Sequence, residues 1–338
     1  MNSRERFVRG WEEGFKTGPA RMLAVAGGGY RGLLGARDFL YGRGVLKSRA
    51  LPCRVVSIGN LTVGGTGKTP AVEVAVQSLT ALGHRPAVVS RGYGRSTRGV
   101  QVVADAASIR LDPEESGDEP FLLARRLPGI PVVVGSNRHD AARVAIERFG
   151  VTAIVLDDGF QHRTLKKDLE IVMARARRPW GNGHLLPAGP LREPLDALSR
   201  ADLVVATGAL DLGDAREVVD AVDEHAPRVP VVTATLAPAE CWEAGRMRSV
   251  RIADLAGKRL AAFAGIAAPA AFADTLAGTP ARWSRRCQPS PTTTGIRAKT
   301  SHGSTRAPPS SASMCSSRPR RTGFACDGCA CRAARCTS

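Results

Sequence analysis

The 338 residues suit one large α/β unit or two smaller ones, and at 43% hydrophobic the chain can bury a substantial core. The formal charge of +17 points to polyanionic partners, yet it is unevenly spread: residues 1–279 carry 37 Lys and Arg against 30 Asp and Glu, whereas residues 280–338 carry 11 against the single acid Asp327. Only Cys53 and Cys241 lie in the body, which excludes a disulfide framework there; no run reaches the ~18 apolar residues of a membrane span, and Met22–Ala26 is too short for a signal peptide, so a cytosolic or peripheral protein is expected.

Residues 1–50 interleave apolar side chains such as Phe15, Leu33, Phe39 and Leu40 with Arg21, Arg31, Arg37 and Lys47. Two readings fit: an interfacial amphipathic helix, or a surface helix packed on the main domain. From Arg54 the pattern becomes alternating βα. Arg54–Gly59 reads as a buried strand, followed by a Gly-rich loop and a helix from about Lys68 to Leu82. Further strand-like runs are Pro86–Ser90, Pro131–Gly135, Val151–Leu156, Leu169–Ala174, Ala201–Thr207, Val229–Thr233 and Arg259–Ala264, with helical patterns such as His139–Phe149 between them. Short apolar strands separated by helices predict a mostly parallel α/β sheet with helices on both faces, and the Gly-Lys-Thr at the end of the Gly-rich loop (Gly67-Lys68-Thr69) makes the expected fold P-loop NTPase-like.

Thr62, Val63, Gly64, Gly65, Thr66, Gly67, Lys68 and Thr69 stand between that first strand and its helix. They match the phosphate-binding pattern G-x-x-x-x-G-K-[ST] except that Thr62 replaces the first Gly. The glycines let backbone N–H groups turn inward around an anion, and the helix N-terminus adds its positive dipole end. Lys68 is placed to reach the β- and γ-phosphates of ATP, and the Thr69 hydroxyl to ligate Mg²⁺. Asp157 and Asp158 end the apolar run Val151–Leu156, where a carboxylate can contact Mg²⁺; a solvated Asp-Asp turn is the plainer alternative. Asp118 precedes an apolar helix beginning at Phe121. It fits a helix cap or a general base for a hydroxyl, and spacing alone favours the cap.

An ordered set of motifs carries a family resemblance. Asn60–Pro70 (NLTVGGTGKTP), Ser90–Arg95 (SRGYGR), Gly117–Pro120 (GDEP), Ser136–Arg138 (SNR), Leu156–His162 (LDDGFQH) and Leu185–Pro194 (LLPAGPLREP) together resemble the tetraacyldisaccharide 4'-kinases, the lipid A 4'-kinases, over about residues 10–276. The resemblance implies transfer of the ATP γ-phosphate, with Mg²⁺, to the 4'-hydroxyl of a tetraacylated glucosamine disaccharide 1-phosphate. It implies Asp118 as part of the base system, together with a histidine of the C-terminal half, and Arg138 in handling phosphate. It further implies docking of residues 1–50 on the anionic cytoplasmic face of the inner membrane, with no nucleic-acid partner and no required protein partner. Gln161 and His162 become candidate substrate contacts, a structural histidine being an equal reading of His162.

The resemblance also implies an F-P-D-H-H-R-Y type motif and a later T-E-K-D motif, and neither is present. Codons for Ser290–Ile296 (SPTTTGI), read one base earlier, permit F-P-D-H-H-R-Y; codons for Pro319–Thr322 (PRRT), shifted alike, permit T-E-K-D. Residues 280–338 contain no Leu or Val and hold six of the eight Cys. They read as an out-of-frame, disordered tail. Zinc binding by Cys326, Cys329, Cys331 and Cys336 is the competing reading, though no apolar residues frame those thiols. The expected organisation is a docking segment over 1–50, a kinase core with the start of a C-terminal lobe over 51–279, and this tail.

Overall fold

The computed structural model describes residues 19–235, 237, 241–243, 248–262, 272, 276 and 282–284. The chain forms two compact units, Met1–Thr235 and Leu236–Ser338.

Runs of Val, Ile and Ala favour strands that are buried on both faces. In the first unit they build one eight-stranded sheet from β1 (Arg54–Gly59), β2 (Pro86–Ser90), β3 (Gln101–Ala104), β4 (Val132–Val134), β5 (Ala153–Asp157), β6 (Leu169–Arg175), β7 (Leu203–Thr207) and β8 (Val231–Ala234). The order is β3-β4-β2-β5-β1-β6-β7-β8. Every neighbouring pair is parallel except the edge pair β3–β4. Helices α1 (Pro19–Gly42), α2 (Lys68–Ala81), α3 (Pro113–Ser116), α4 (Asp118–Arg126), α5 (Arg138–Phe149) and α6 (Arg216–His225) connect and cover these strands. Val72 and Val76 of α2, Val88 of β2 and Val155 of β5 share one fully buried cluster; Ala141, Ala142 and Ala145 of α5 pack with Val89 and Ile154 in another.

The parallel α/β expectation therefore holds, and β1 and β2 match their expected limits. The four-residue β3 and the short helix α3 add to the expected elements, and α4 starts at Asp118, three residues before the helix start expected at Phe121. The Asp112–Glu115 capping box starts α3 locally, and Gly117 (φ 90°) links it to α4.

Helix α1 runs straight through Gly27, Gly28 and Gly29 despite their poor helix propensity. Gly27 is buried against residues 185–188: an added Cβ would meet the Leu185 carbonyl oxygen at 3.6 Å and Ala188 Cβ at 3.7 Å, ordinary contact distances, so the helix packs closely there without requiring glycine. Leu34 is buried on the same face, with Tyr30 packed beside it, while Met22, Val25, Leu33 and Phe39 are exposed on the other. The helix thus has one face docked on the domain and one apolar face turned to solvent. Among the described residues no helix is long and apolar enough to cross a membrane.

In the second unit Cys241–Glu243 pairs antiparallel with Arg248–Val250, and Arg259–Ala261 pairs parallel with Arg282–Ser284. Strand pairing therefore continues four residues past the boundary expected at 280, with Trp283 opposite Leu260. The remainder of the tail, with its Cys cluster and shifted-frame strings, lies outside the described residues.

Candidate active site

The site forms at the carboxyl ends of β1 and β5. These strands are adjacent, with Ile58 opposite Asp157, so the loop after β1 and the acids at the end of β5 converge. Gly64 (φ 129°) and Gly67 (φ 82°) adopt backbone conformations that disfavour a Cβ, and Gly67 is the N-cap of α2. Thr62 is tolerated in place of Gly because it lies in an antiparallel bridge with Leu191. Val63 N donates to the Pro190 carbonyl at 2.8 Å and Arg192 N to the Leu61 carbonyl at 2.7 Å. The segment 190–192 thus braces the start of the loop from outside. Inside it, fully buried Asn60 donates from Nδ2 to Thr66 Oγ1 at 3.1 Å. Thr207 at the end of β7 lies with its hydroxyl 3.2 Å from the Thr66 carbonyl.

Lys68, 9% exposed, opens α2 and extends Nζ to 3.5 Å from Asp158 Oδ1. Arg192 Nη1 donates to the other oxygen, Asp158 Oδ2, at 2.7 Å, and lies 3.4 Å from Gln161 Oε1. Gln161 Nε2 in turn donates to the Asn60 carbonyl at 2.9 Å. Burial disfavours the Asp158 carboxylate, but Lys68 and Arg192 outweigh it and hold its pKa below the usual value. Asp158 also has φ 56°, left-handed for a non-glycine residue, which turns it away from the strand direction that Asp157 ends.

Asp157 is 2% exposed and accepts from Ser90 Oγ at 3.0 Å. Burial first, then the charges of Glu119 and Asp158, push its pKa up to about 6. Arg138, the first residue of α5, is 6% exposed; its Nη1 donates to the Ser136 carbonyl at 3.2 Å. Burial and neighbouring Arg91 lower its pKa to about 10, against Asp158 and Asp157, so it remains a cation at neutral pH. Among the described residues its buried Nε has no hydrogen-bond partner. A buried guanidinium with unused donor capacity, within reach of the charges of Asp157 and Asp158, suits an anion carrying a bound cation.

His162 lies with Nε2 2.8 Å from Thr164 Oγ1. Burial, then Arg138, Lys167 and Arg91, lower its pKa to about 4, so the imidazole is neutral at pH 7. Asp118 is the exposed first residue of α4, and the N-cap position belongs to Gly117. Thr69 follows Lys68, half-buried. The sequence reading left four contributors without roles: Asn60, Ser90, Glu119 and Arg192. All four sit within the quoted motifs, so the signal was present, but no spacing rule assigns them contacts.

The family description tetraacyldisaccharide-1-P 4'-kinase (LpxK) matches residues 19–288. The chain is 45% identical over 292 residues to the tetraacyldisaccharide 4'-kinase of Syntrophus aciditrophicus, covering 82% of this chain and 77% of that one. It is 43% identical over 272 residues to the enzyme of the same name from Anaeromyxobacter dehalogenans, covering 79% and 71%. The structure resembles that of LpxK from Aquifex aeolicus in complex with ATP, with a TM-score of 0.65, 31% identity, and coverage of 80% of this chain and 82% of that one. With a family match across most of its length and a site of the corresponding chemistry, this chain belongs to the tetraacyldisaccharide-1-P 4'-kinase family.

Proposed function

We propose that the chain transfers the γ-phosphoryl group of ATP to the 4'-hydroxyl of a tetraacylated glucosamine disaccharide 1-phosphate, a step of lipid A synthesis. One observation carries this reading above all: Lys68, Asp158 and Arg192 converge at the mouth of a Gly-lined phosphate loop, in a chain of this family.

Phosphoryl transfer needs positioning and charge neutralisation more than covalent help. The loop N–H groups and Lys68 bind the β- and γ-phosphates, and Arg138 neutralises charge on the group in flight. Thr69, Asp157 and Asp158 would hold Mg²⁺, which supplies further neutralisation of the phosphate oxygens. Asp158 Oδ1, buried and no closer than 3.5 Å to Lys68, keeps a lone pair for that purpose. Asp118 accepts the proton of the 4'-hydroxyl as its oxygen bonds to the γ-phosphorus and the bond to the β-phosphate oxygen breaks, releasing ADP. Exposure suits Asp118 to a substrate that arrives from outside the domain.

The apolar face of α1, with Met22, Val25, Leu33 and Phe39, would rest on the inner membrane's cytoplasmic surface, where an acylated substrate resides. Phosphate incorporation from γ-labelled ATP into the acylated disaccharide 1-phosphate, catalysed by the frame-restored protein, tests the reading. Equal labelling of a soluble sugar acceptor would overturn it. A second reading, a nucleotide-binding remnant, is favoured by the family match ending at residue 288, just before the shifted-frame strings begin at Ser290.

A further inference from the structure

Helix α1 touches the frame of the site as well as presenting an apolar face. Tyr30 Oη donates to the Arg192 carbonyl at 2.9 Å, and Arg37 Nη2 donates to Glu193 Oε1 at 2.7 Å. The Glu193 side chain is 1% exposed, and its other oxygen is paired with Arg200. On its opposite edge the same segment is tied to the phosphate loop through Leu61, Thr62 and Val63, and the Arg192 side chain reaches Asp158. Residues 190–193 are therefore held between α1 and the loop. Burial, and after it Glu193, raise the Tyr30 pKa, so its hydroxyl remains a hydrogen-bond donor at neutral pH.

We propose that Tyr30 and Arg37 are positioning residues for nucleotide binding: α1 fixes the backbone of Arg192 and Glu193, and thereby aims Arg192 at Asp158 and steadies the phosphate loop. This goes beyond a docking role for the helix, and it rests on the phosphate-loop reading above. A guanidinium aimed at one carboxylate oxygen tolerates little backbone drift, and a loop that must present several N–H groups at once binds best when it is pre-organised. Tyr30 and Arg37 hold that segment on the side that the loop does not reach.

The test uses the full chain and a ribose-labelled fluorescent ATP analogue in vesicle-free buffer. Tyr30→Phe, which removes one hydroxyl, should weaken analogue binding about fivefold. Arg37→Met should weaken it comparably, and Arg37→Lys should recover part of the loss. In an Arg192→Met background, Tyr30→Phe should cost much less, since the group it positions is gone. Binding of the Tyr30→Phe protein to anionic phospholipid vesicles should match that of the parent. Unchanged analogue affinity in Tyr30→Phe overturns the proposal, whether vesicle binding or the unfolding midpoint falls or not. Full additivity with Arg192→Met overturns it too. A parent chain that fails to bind the analogue overturns the phosphate-loop reading, and this inference with it.

Discussion

Arg192 grips Asp158 from the side opposite Lys68: its Nη1 is 2.7 Å from Oδ2, while Lys68 Nζ is 3.5 Å from Oδ1. One carboxylate between two cations keeps its charge despite burial. The neighbouring Asp157 has the contrary environment, with Glu119 and Asp158 facing it, and its pKa rises. Adjacent acids on one turn are thus tuned in opposite directions.

Lys68→Ala should abolish measurable ATP·Mg²⁺ binding, and Thr69→Ala should weaken it chiefly when Mg²⁺ is present. Titration calorimetry with and without the metal separates the two effects. A Lys68→Ala protein that binds ATP like the parent would mean that the loop has another purpose.

Asp157→Asn should stabilise the fold while impairing metal-dependent nucleotide binding. The folded pKa of about 6 lies above the reference value of 3.8, so the proton is bound more tightly in the folded state. The stability this group contributes is present below pH 3.8 and lost as pH rises through about 6. At pH 7 its ionised form is therefore a cost, on the order of 1–3 kcal/mol. The variant's unfolding midpoint should exceed the parent's at pH 7, and the gap should close towards pH 4. A gap that widens on acidification would contradict the assignment.

Asp118→Asn, made in a frame-restored protein, should lower kcat by about 100-fold or more and leave ATP affinity within a factor of about two. Single-turnover kinetics and direct ATP binding give the comparison. Parallel loss of both would point to a structural role at the start of α4.

Leu33→Asp combined with Phe39→Asp should release the protein from membranes without unfolding it, because both side chains are exposed. Sedimentation with inner-membrane vesicles reports the change. Undiminished sedimentation would place the docking surface elsewhere.

The chain as written should be a weak or inactive kinase, and a single-base correction between codons 277 and 289 should restore activity. The shifted-frame strings share one offset, and the in-frame tail lacks the F-P-D-H-H-R-Y motif that the family resemblance implies, its only histidine being His302 outside any such string. Full activity in the uncorrected protein would show that the Cys-rich tail is a working part of the enzyme.

Much of this architecture was legible in the sequence because its signals are local. A six-residue apolar strand, three glycines and Lys-Thr at a helix start specify the phosphate loop almost alone. Asp157 and Asp158 are legible because a buried parallel strand ends at the sheet's carboxyl edge, where Asp157 closes β5 and Asp158 follows it. The brace was not legible. Pairing of Leu61, Thr62 and Val63 with residues 190–192 spans more than a hundred positions, and no periodicity encodes it. Likewise, a short edge strand such as Gln101–Ala104, half-buried at its start and carrying a register shift, leaves little alternation to detect. Local propensity disfavours a helix through Gly27, Gly28 and Gly29, yet α1 continues there, with Gly27 buried close to Leu185 and Ala188.

The left-handed backbone at Asp158 carries a consequence for variation at that site. A saturation library there would be filtered by conformation before chemistry. Valine, isoleucine and threonine, branched at Cβ, would be lost through misfolding of the turn and would reveal nothing about metal or phosphate. Asparagine is the informative replacement, since it tolerates that conformation and removes only the charge. Glycine would relax the backbone while deleting the carboxylate. A chain that keeps its expression level with asparagine or glycine at 158 but loses nucleotide binding would separate, at a single position, the demand of the turn from the demand of the ligand.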